Sequence, residues 1–293
     1  MKPNLTMEAE CWGGIEFVRI PNGPFVMGSK DENEMAWDDE KPQHTLDLAY
    51  DYWVGKHPVT NAQFGEFARS TAFETSAERE GWAWVWDPGN EQWGRGEGAN
   101  WRNLLGSTSS IPDFDRHPVV SVCWYDALAF CGWLSQEHGG DLPPGYQFRL
   151  PSEAEWEKAA RGADGYEWPW GNAFDAALCN SRDVGKVCTT PVGAHSPQGD
   201  SAYGVAGMSG NAWEWTLTQW GTDRDKSDYV YPYVGGDGRE SQQAGDGAFR
   251  IIRGGSFKDD FKGMRCACRD LDLPQYSLNN LGFRVFIAPT LVT

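Results

Sequence analysis

The sequence has few basic residues and no long hydrophobic run. Its 293 residues include 42 Asp and Glu but only 25 Lys and Arg, a formal net charge of -17. Such an excess of negative charge repels phosphate backbones and anionic lipid surfaces. No run of 18 apolar residues occurs, and residues 1–6 lead into no signal-peptide core. We therefore expect a soluble, cytoplasmic protein that binds neither nucleic acid nor membranes directly.

The seven cysteines and five histidines show none of the spacings typical of disulfide frameworks or histidine metal sites. Because the cysteine count is odd, at least one thiol is free or pairs between chains. Cys179 and Cys188 flank a loop, so a disulfide between them stays open as an alternative. Reduced thiols are the simpler interpretation for a cytosolic protein.

Aromatic residues and glycine are abundant instead. The 16 Trp, 14 Phe and 10 Tyr provide large buried areas, whereas 35 Gly and 17 Pro indicate many turns. We expect a loop-rich α+β protein with little regular secondary structure. Trp82, Trp84 and Trp86 alternate along a predicted strand, where they either line a pocket or cover the core.

A few regular elements are predicted from periodicity and capping residues. Residues 14–20 alternate like a strand and are followed by a turn at 21–23, which predicts an N-terminal hairpin. Thr60 is a candidate N-cap for a helix to Arg69, and Ser121 for a buried helix to Glu137. The sequence thus predicts two helices in its first half.

Three glutamates cluster where a third helix is predicted to begin after Ser152. Glu153, Glu155 and Glu157 suggest acid–base chemistry at first sight. On a helix they point in different directions, so we interpret them as caps and salt-bridge partners.

A long segment near the C-terminus is the main candidate for a functional site. It lies between a predicted strand at 249–253 and a returning strand at 282–287, and it follows no helical or strand period. A loop of this length in a compact domain is uncommon unless it is functional or disordered. An exposed apolar patch ringed by Asp would mark an interaction site. The residues expected to contact a ligand are Asp259, Asp260, Phe261, Asp270, Leu271, Asp272, Leu273, Tyr276 and Leu278.

Several motifs occur in an order that resembles one known family. They are residues 23–29, Pro58-Val59-Thr60-Asn61 with Phe64, 149–157, Pro169-Trp170-Gly171-Asn172, Gly210-Asn211-Ala212-Trp213-Glu214-Trp215, Arg253-Gly254-Gly255-Ser256-Phe257 and Leu281-Gly282-Phe283-Arg284-Val285. The chain resembles the formylglycine-generating enzyme (sulfatase-modifying factor) family, a branch of the C-type-lectin-like fold. The resemblance implies one such domain over residues 14–288, preceded by an N-terminal extension, 1–13.

The family's oxidase chemistry is expected to be absent. Its members oxidise a substrate cysteine with oxygen at a copper ion held by two thiolates, ligands that suit Cu(I). The resemblance implies that Asp259 occupies the first thiolate's position and that the second falls where this chain is shorter. Cys266 and Cys268 lie beyond the site, although a strand would place both thiols on one face. A non-copper oxidoreductase or maturation enzyme of the same family remains the alternative function.

The resemblance also implies structural calcium. One site would use the carbonyl groups of Gly210 and Ala212 with the carboxylate of Glu214, and a second would use Asn180 and the carbonyl of Ser181. Oxygen ligands of this kind suit a hard cation. Without calcium, Glu214 is expected to be a buried, unpaired charge.

Another branch with this fold consists of binding proteins, the variable proteins of diversity-generating retroelements. In these proteins the C-terminal loop is rewritten at adenine-rich codons, which yields residues such as Asp, Ser, Phe, Leu, Tyr and Cys. Many residues between Asp259 and Asn279 belong to that set, whereas Lys258, Lys262, Met264 and Gln275 do not. We therefore predict that the segment 257–280 binds a protein or another macromolecular ligand.

Overall fold

A computed structural model describes residues 10–106 and 113–290. These residues form a loop-rich α+β fold, which confirms the predicted fold class. The strands are β1 (Glu10–Trp12), β2 (Ile15–Ile20), β3 (Gly23–Met27), β4 (His44–Leu48), β5 (Tyr52–Gly55), β6 (Trp82–Asp87), β7 (Gln92–Glu97), β8 (Tyr146–Arg149), β9 (Trp213–Gly221), β10 (Phe249–Arg253), β11 (Arg269–Asp272), β12 (Leu281–Gly282) and β13 (Phe286–Pro289). The α-helices are α1 (Asn61–Thr71), α2 (Ser76–Glu80), α3 (Trp124–His138) and α4 (Glu153–Arg161).

A five-stranded sheet in the order β1-β2-β5-β13-β8 lies between two hydrophobic clusters. Because side chains alternate along a strand, neighbouring residues of β2 face opposite sides. Phe17 joins the main core with residues of α1 and α3, including Phe64 and Phe130. Val18 joins a second cluster with Trp156 of α4. The sheet is therefore covered by helices on both faces.

A four-stranded sheet in the order β11-β10-β9-β12 supports the C-terminal segment. All nine residues of β9 are buried. β10 pairs antiparallel with both β9 and β11, and β12 pairs parallel with β9. A fully buried central strand of this kind holds its neighbours in a fixed register.

Several boundaries differ from those that periodicity predicts. β2 pairs with β1 and β5, whereas β3 pairs with β4, so the predicted hairpin across residues 21–23 does not form. The expected returning strand is split between two sheets, because β12 pairs with β9 and β13 with β5 and β8. Helix α3 begins after Cys123 rather than after Ser121. Ser121 has a positive φ of 58°, which interrupts the helical path.

The glutamates of α4 are structural, as predicted. Ser152 caps the helix by accepting a hydrogen bond from the backbone of Glu155. All three glutamate side chains are fully buried and ion-paired: Glu153 with Arg269, Glu155 with Arg149, and Glu157 with Arg161 and Arg253. Each carboxylate is therefore neutralised, which burial of a charge requires.

All seven cysteines lie within the described residues and are free, so Cys179 and Cys188 do not pair. Across residues 10–106 and 113–290, no helix has both the length and the apolar character needed to cross a membrane.

Candidate binding cleft

The segment 257–280 is more ordered and more buried than its sequence suggests. Its middle forms β11, which pairs with β10, and residues 263–269 are buried. Two arginines anchor it: Arg265 donates to Glu40 over 2.5 and 2.7 Å, and Arg269 donates to both oxygens of Glu153 over 2.9 Å. The lack of a helical or strand period therefore does not make this segment an exposed loop, because periodicity does not show ion pairs with distant residues.

One side of this segment borders a cleft of about 680 Å³. Aromatic side chains from several elements line it, together with charged residues of both signs. The lining residues include Trp86 of β6, Trp213 and Trp220 of β9, Lys258, Asp259 and Asp270. An aromatic cleft with a few convergent polar groups is the usual form of a ligand site.

The turn before the cleft places Asp259 in a fixed position. Gly255 has a φ of 73°, and a Cβ there would lie 2.8 Å from the Gly263 carbonyl oxygen, so only glycine fits. Asp259 Oδ2 then accepts hydrogen bonds from Ser256 Oγ at 2.6 Å, Ser256 N at 3.0 Å and Trp213 Nε1 at 2.8 Å. Three hydrogen bonds, two from Ser256 and one from Trp213, therefore hold this carboxylate.

Lys258 is the cation beside this carboxylate. Its Nζ lies 3.1 Å from Asp259 Oδ1. The same ammonium lies over two indole rings of the β6–β7 hairpin, 5.3 Å from the ring centroid of Trp86 and 5.8 Å from that of Trp93. These distances are typical of cation–π contacts. Lys258 thus connects the hairpin to the turn that carries Asp259.

The nine predicted ligand-binding residues do not form one surface. Asp259, Asp260, Asp270 and Leu271 line the cleft, whereas Phe261, Asp272, Leu273, Tyr276 and Leu278 do not. The apolar members of the set pack in different places. Phe261 packs with Trp168 and Met264, Leu278 packs against the main core, and Tyr276 lies against Trp84 at a ring distance of 6.0 Å. The expected single apolar patch ringed by Asp is therefore wrong.

Sequence reasoning missed most of the other cleft residues. Trp213 and Trp220 belong to the buried strand β9, so nothing in their pattern distinguishes a cleft wall from core. Arg182 and Lys186 come from an irregular segment far away in the chain. Trp86 is the exception, because the alternating tryptophans of its strand predict a pocket wall as one of two outcomes.

The thiols near the cleft do not form a pair. Cys268 lines the cleft and belongs to the main core, whereas Cys266 packs in the second cluster. Burial raises the pKa of both thiols well above the usual range. A Cu(I) site of the family's kind needs two thiolates at one place, which these two thiols, packed in different clusters, do not provide. The donor set at the cleft therefore does not fit the family's copper ion.

The two implied calcium sites differ in how well their residues suit a cation. Glu214 is paired: its oxygens accept hydrogen bonds of 2.7 Å from Arg284, and Trp156 Nε1 donates to it at 2.7 Å. The premise that Glu214 is unpaired without calcium is therefore wrong. By contrast, Asn180 Oδ1 is buried without a hydrogen-bond partner among the described residues, whereas the Ser181 carbonyl, the other implied ligand, accepts a hydrogen bond from Val184 N at 3.1 Å. Oxygens without donors are what a hard cation requires.

Comparison with known proteins establishes the family. Residues 4–289 match the sulfatase-modifying factor enzyme 1-like domain. The chain belongs to the formylglycine-generating enzyme (sulfatase-modifying factor) family. It is 32% identical over 303 residues to a formylglycine-generating enzyme of Thermomonospora curvata, with 93% of each chain covered. It is also 31% identical over 301 residues to inactive C-alpha-formylglycine-generating enzyme 2 of Bos taurus, covering 92% of this chain and 87% of the relative.

Two solved structures share the fold. PvdO from Pseudomonas aeruginosa has a TM-score of 0.70 at 23% identity, covering 96% of this chain and 98% of its own. Treponema denticola variable protein 1 has a TM-score of 0.67 at 21% identity, covering 96% and 99%. These similarities confirm the predicted fold, and the family resemblance inferred from the motifs is confirmed as well. Overall identity does not separate relatives named as enzymes from one named as inactive.

Proposed function

We propose that this chain is a binding protein that holds a segment of a partner protein in the cleft beside residues 257–271. The observation that carries the proposal is the environment of Asp259. This carboxylate lies where the family resemblance places the first copper thiolate, and three hydrogen bonds and Lys258 hold it in place. A carboxylate fixed in this way is suited to recognising a ligand. It does not provide the thiolate that Cu(I) needs.

The form of the cleft supports a binding role. It combines tryptophan side chains with carboxylates and basic groups, and aromatic residues dominate the binding energy of protein interfaces. One wall comes from β9 and β11, which belong to one paired sheet, and the other lining residues come from β6 and from loops. The wall on the sheet is pre-organised, so a partner need not order it on binding.

A charge reversal inside the cleft tests the proposal. Asp270 is exposed on β11 and lines the cleft, so Asp270→Arg changes the binding surface without disturbing the core. Partners would be captured from the native cells with tagged wild-type protein and identified. Each would then be purified, and its dissociation constant would be measured by calorimetry. We expect Asp270→Arg to weaken binding of a true partner by about tenfold or more.

Glu137→Arg is the matched control, because Glu137 is exposed on α3 and does not line the cleft. It should bind the partner like the wild type. Equal binding by both variants would contradict the proposal. Chemical conversion of a bound partner, detected by mass spectrometry, would favour the alternative of a non-copper family enzyme.

A further inference from the structure

We infer that the cleft recognises a primary ammonium group, specifically a lysine side chain of the partner, in a box formed by Trp86 and Asp259 of its lining and by the adjacent Trp93. This assignment rests on the proposed function of the cleft and names the chemistry of its ligand. The structure contains such a group already. The ammonium of Lys258 occupies the ammonium box, in contact with both indole rings and the carboxylate.

The box is built by a regular pairing of two strands. Trp86 and Trp93 are direct partners in the β6–β7 register, and their ring centroids lie 5.6 Å apart at an angle of 65°. The two electron-rich rings are therefore held together beside the Lys258 ammonium. Asp259, which lies in the turn after β10, adds a negative charge beside the rings. Aromatic rings combined with a carboxylate are a general means of recognising ammonium ligands.

Lys258 is an exchangeable occupant rather than a buried ion. Its side chain is 22% exposed, in contrast to the arginines of the core pairs, which are almost fully buried. Partly exposed cation–π contacts and ion pairs are individually weak. A partner that also fills the rest of the 680 Å³ cleft gains contacts that Lys258 does not make. Such a partner can therefore replace Lys258 in the box.

The charge of the whole chain favours the same class of partner. The net charge of -17 attracts cations over long range and repels acidic partners. Asp260, Asp270 and Glu91 line the cleft, together with Arg182, Lys186 and Arg224. The attraction of a cationic partner therefore comes from the net charge of the whole chain, and Asp259 provides the charge at the box itself.

The test uses isotope-labelled protein and the indole N–H signals of the two tryptophans, assigned with Trp86→Phe and Trp93→Phe. The probes are Nα-acetyl-lysine N-methylamide, the neutral norleucine analogue and n-butylammonium. In Lys258→Met, which removes the ammonium from the box, the blocked lysine should shift both signals saturably. Its affinity should exceed that of the norleucine analogue by about tenfold or more. The wild type should bind the same probe about tenfold more weakly, because Lys258 competes.

Lys258→Gln serves as a second variant without the ammonium, and Lys258→Arg should behave like the wild type because it keeps a cation in the box. No saturable shift in either variant without the ammonium would overturn the inference. Equal affinity for lysine and norleucine, or for wild type and Lys258→Met, would overturn it too. If n-butylammonium bound as tightly as the blocked lysine, the box would be assigned to a small amine and the lysine assignment would fail. These failures leave the Asp270→Arg test of the binding role unaffected.

Discussion

The indole Nε1 of Trp213 donates a hydrogen bond to Oδ2 of Asp259, with 2.8 Å between the two atoms. Trp213 belongs to the central strand β9, and Asp259 to the segment that borders the cleft. The bond therefore fixes the segment to β9 at the position where the family resemblance puts a copper thiolate. The same hydrogen bond determines how substitutions of Asp259 should change the free energy of unfolding.

Asp259→Ala should lower the free energy of unfolding by about 2 to 4 kcal/mol, because it leaves donors of Trp213 and Ser256 without an acceptor. Asp259→Asn should cost less, since one amide oxygen still accepts. Asp260→Ala is the control. Among the described residues its side chain makes an exposed ion pair with Arg182 and accepts a hydrogen bond from Lys262 N at 3.0 Å, so we expect a smaller loss of about 1 kcal/mol. Urea denaturation measures all three. Equal losses for Asp259→Ala and Asp260→Ala would show that the Trp213 bond does not hold the segment.

Leu271 and Leu273 provide a matched pair within the segment. Leu271 is 9% exposed and packs with Trp220 and Ile251, whereas Leu273 is half-buried and belongs to no hydrophobic cluster of the described residues. Leu271→Ala should therefore cost about 2 to 3 kcal/mol and Leu273→Ala about 1 kcal/mol or less. Thermal or urea unfolding of the two variants decides the matter. Losses of the same size would contradict the packing described for β11.

The sequence predicts some parts of this structure and not others, for physical reasons. The caps at Thr60 and Ser152 were predictable because capping is local chemistry. The strand β11 was not, because its stability comes from pairing with β10 and from the Arg269–Glu153 ion pair. The cleft was recognised only in part. Asp259, Asp260, Asp270 and Leu271 come from one segment, but the tryptophans opposite them are brought there by tertiary packing.

Calcium, if bound, should act through Asn180 and not through Glu214. We expect calcium to raise the melting temperature of the wild type and of Glu214→Gln, and to have no effect on Asn180→Leu. The reason is that Asn180 Oδ1 lacks a donor, while Glu214 is paired with Arg284. Glu214→Gln should instead lower stability by about 3 to 5 kcal/mol at any calcium concentration, since Arg284 loses its buried partner. Calorimetry with and without a chelator measures both effects. Loss of the calcium response in Glu214→Gln alone would reverse this assignment.

Glu240 should make stability depend on pH. Burial raises the pKa of its carboxyl from 4.5 to about 7. The folded protein therefore binds more protons than the unfolded chain between these values. The free energy of unfolding should fall as pH rises from 4.5 to about 7, by about 3 kcal/mol from this group. Glu240→Gln keeps an acceptor for the Tyr233 hydroxyl and removes the titration.

The difference in stability between wild type and Glu240→Gln, measured by urea unfolding from pH 4 to pH 8, isolates this group from other titrating residues. Glu240→Gln should gain relative stability as pH rises. A difference that stays constant over the whole range would show that Glu240 titrates normally.

The central claim that this chain lacks the family's copper oxidase chemistry is tested most directly by one assay. The protein is supplied with Cu(I), oxygen and a Cys-x-Pro-x-Arg peptide, and mass spectrometry follows conversion of the peptide cysteine to formylglycine. The family resemblance places Asp259 at the position of the first thiolate, and the Cys266 and Cys268 thiols pack in different hydrophobic clusters. We therefore predict no conversion and no stoichiometric copper. Conversion of the peptide, lost in a Cys266→Ser and Cys268→Ser double variant, would contradict the claim.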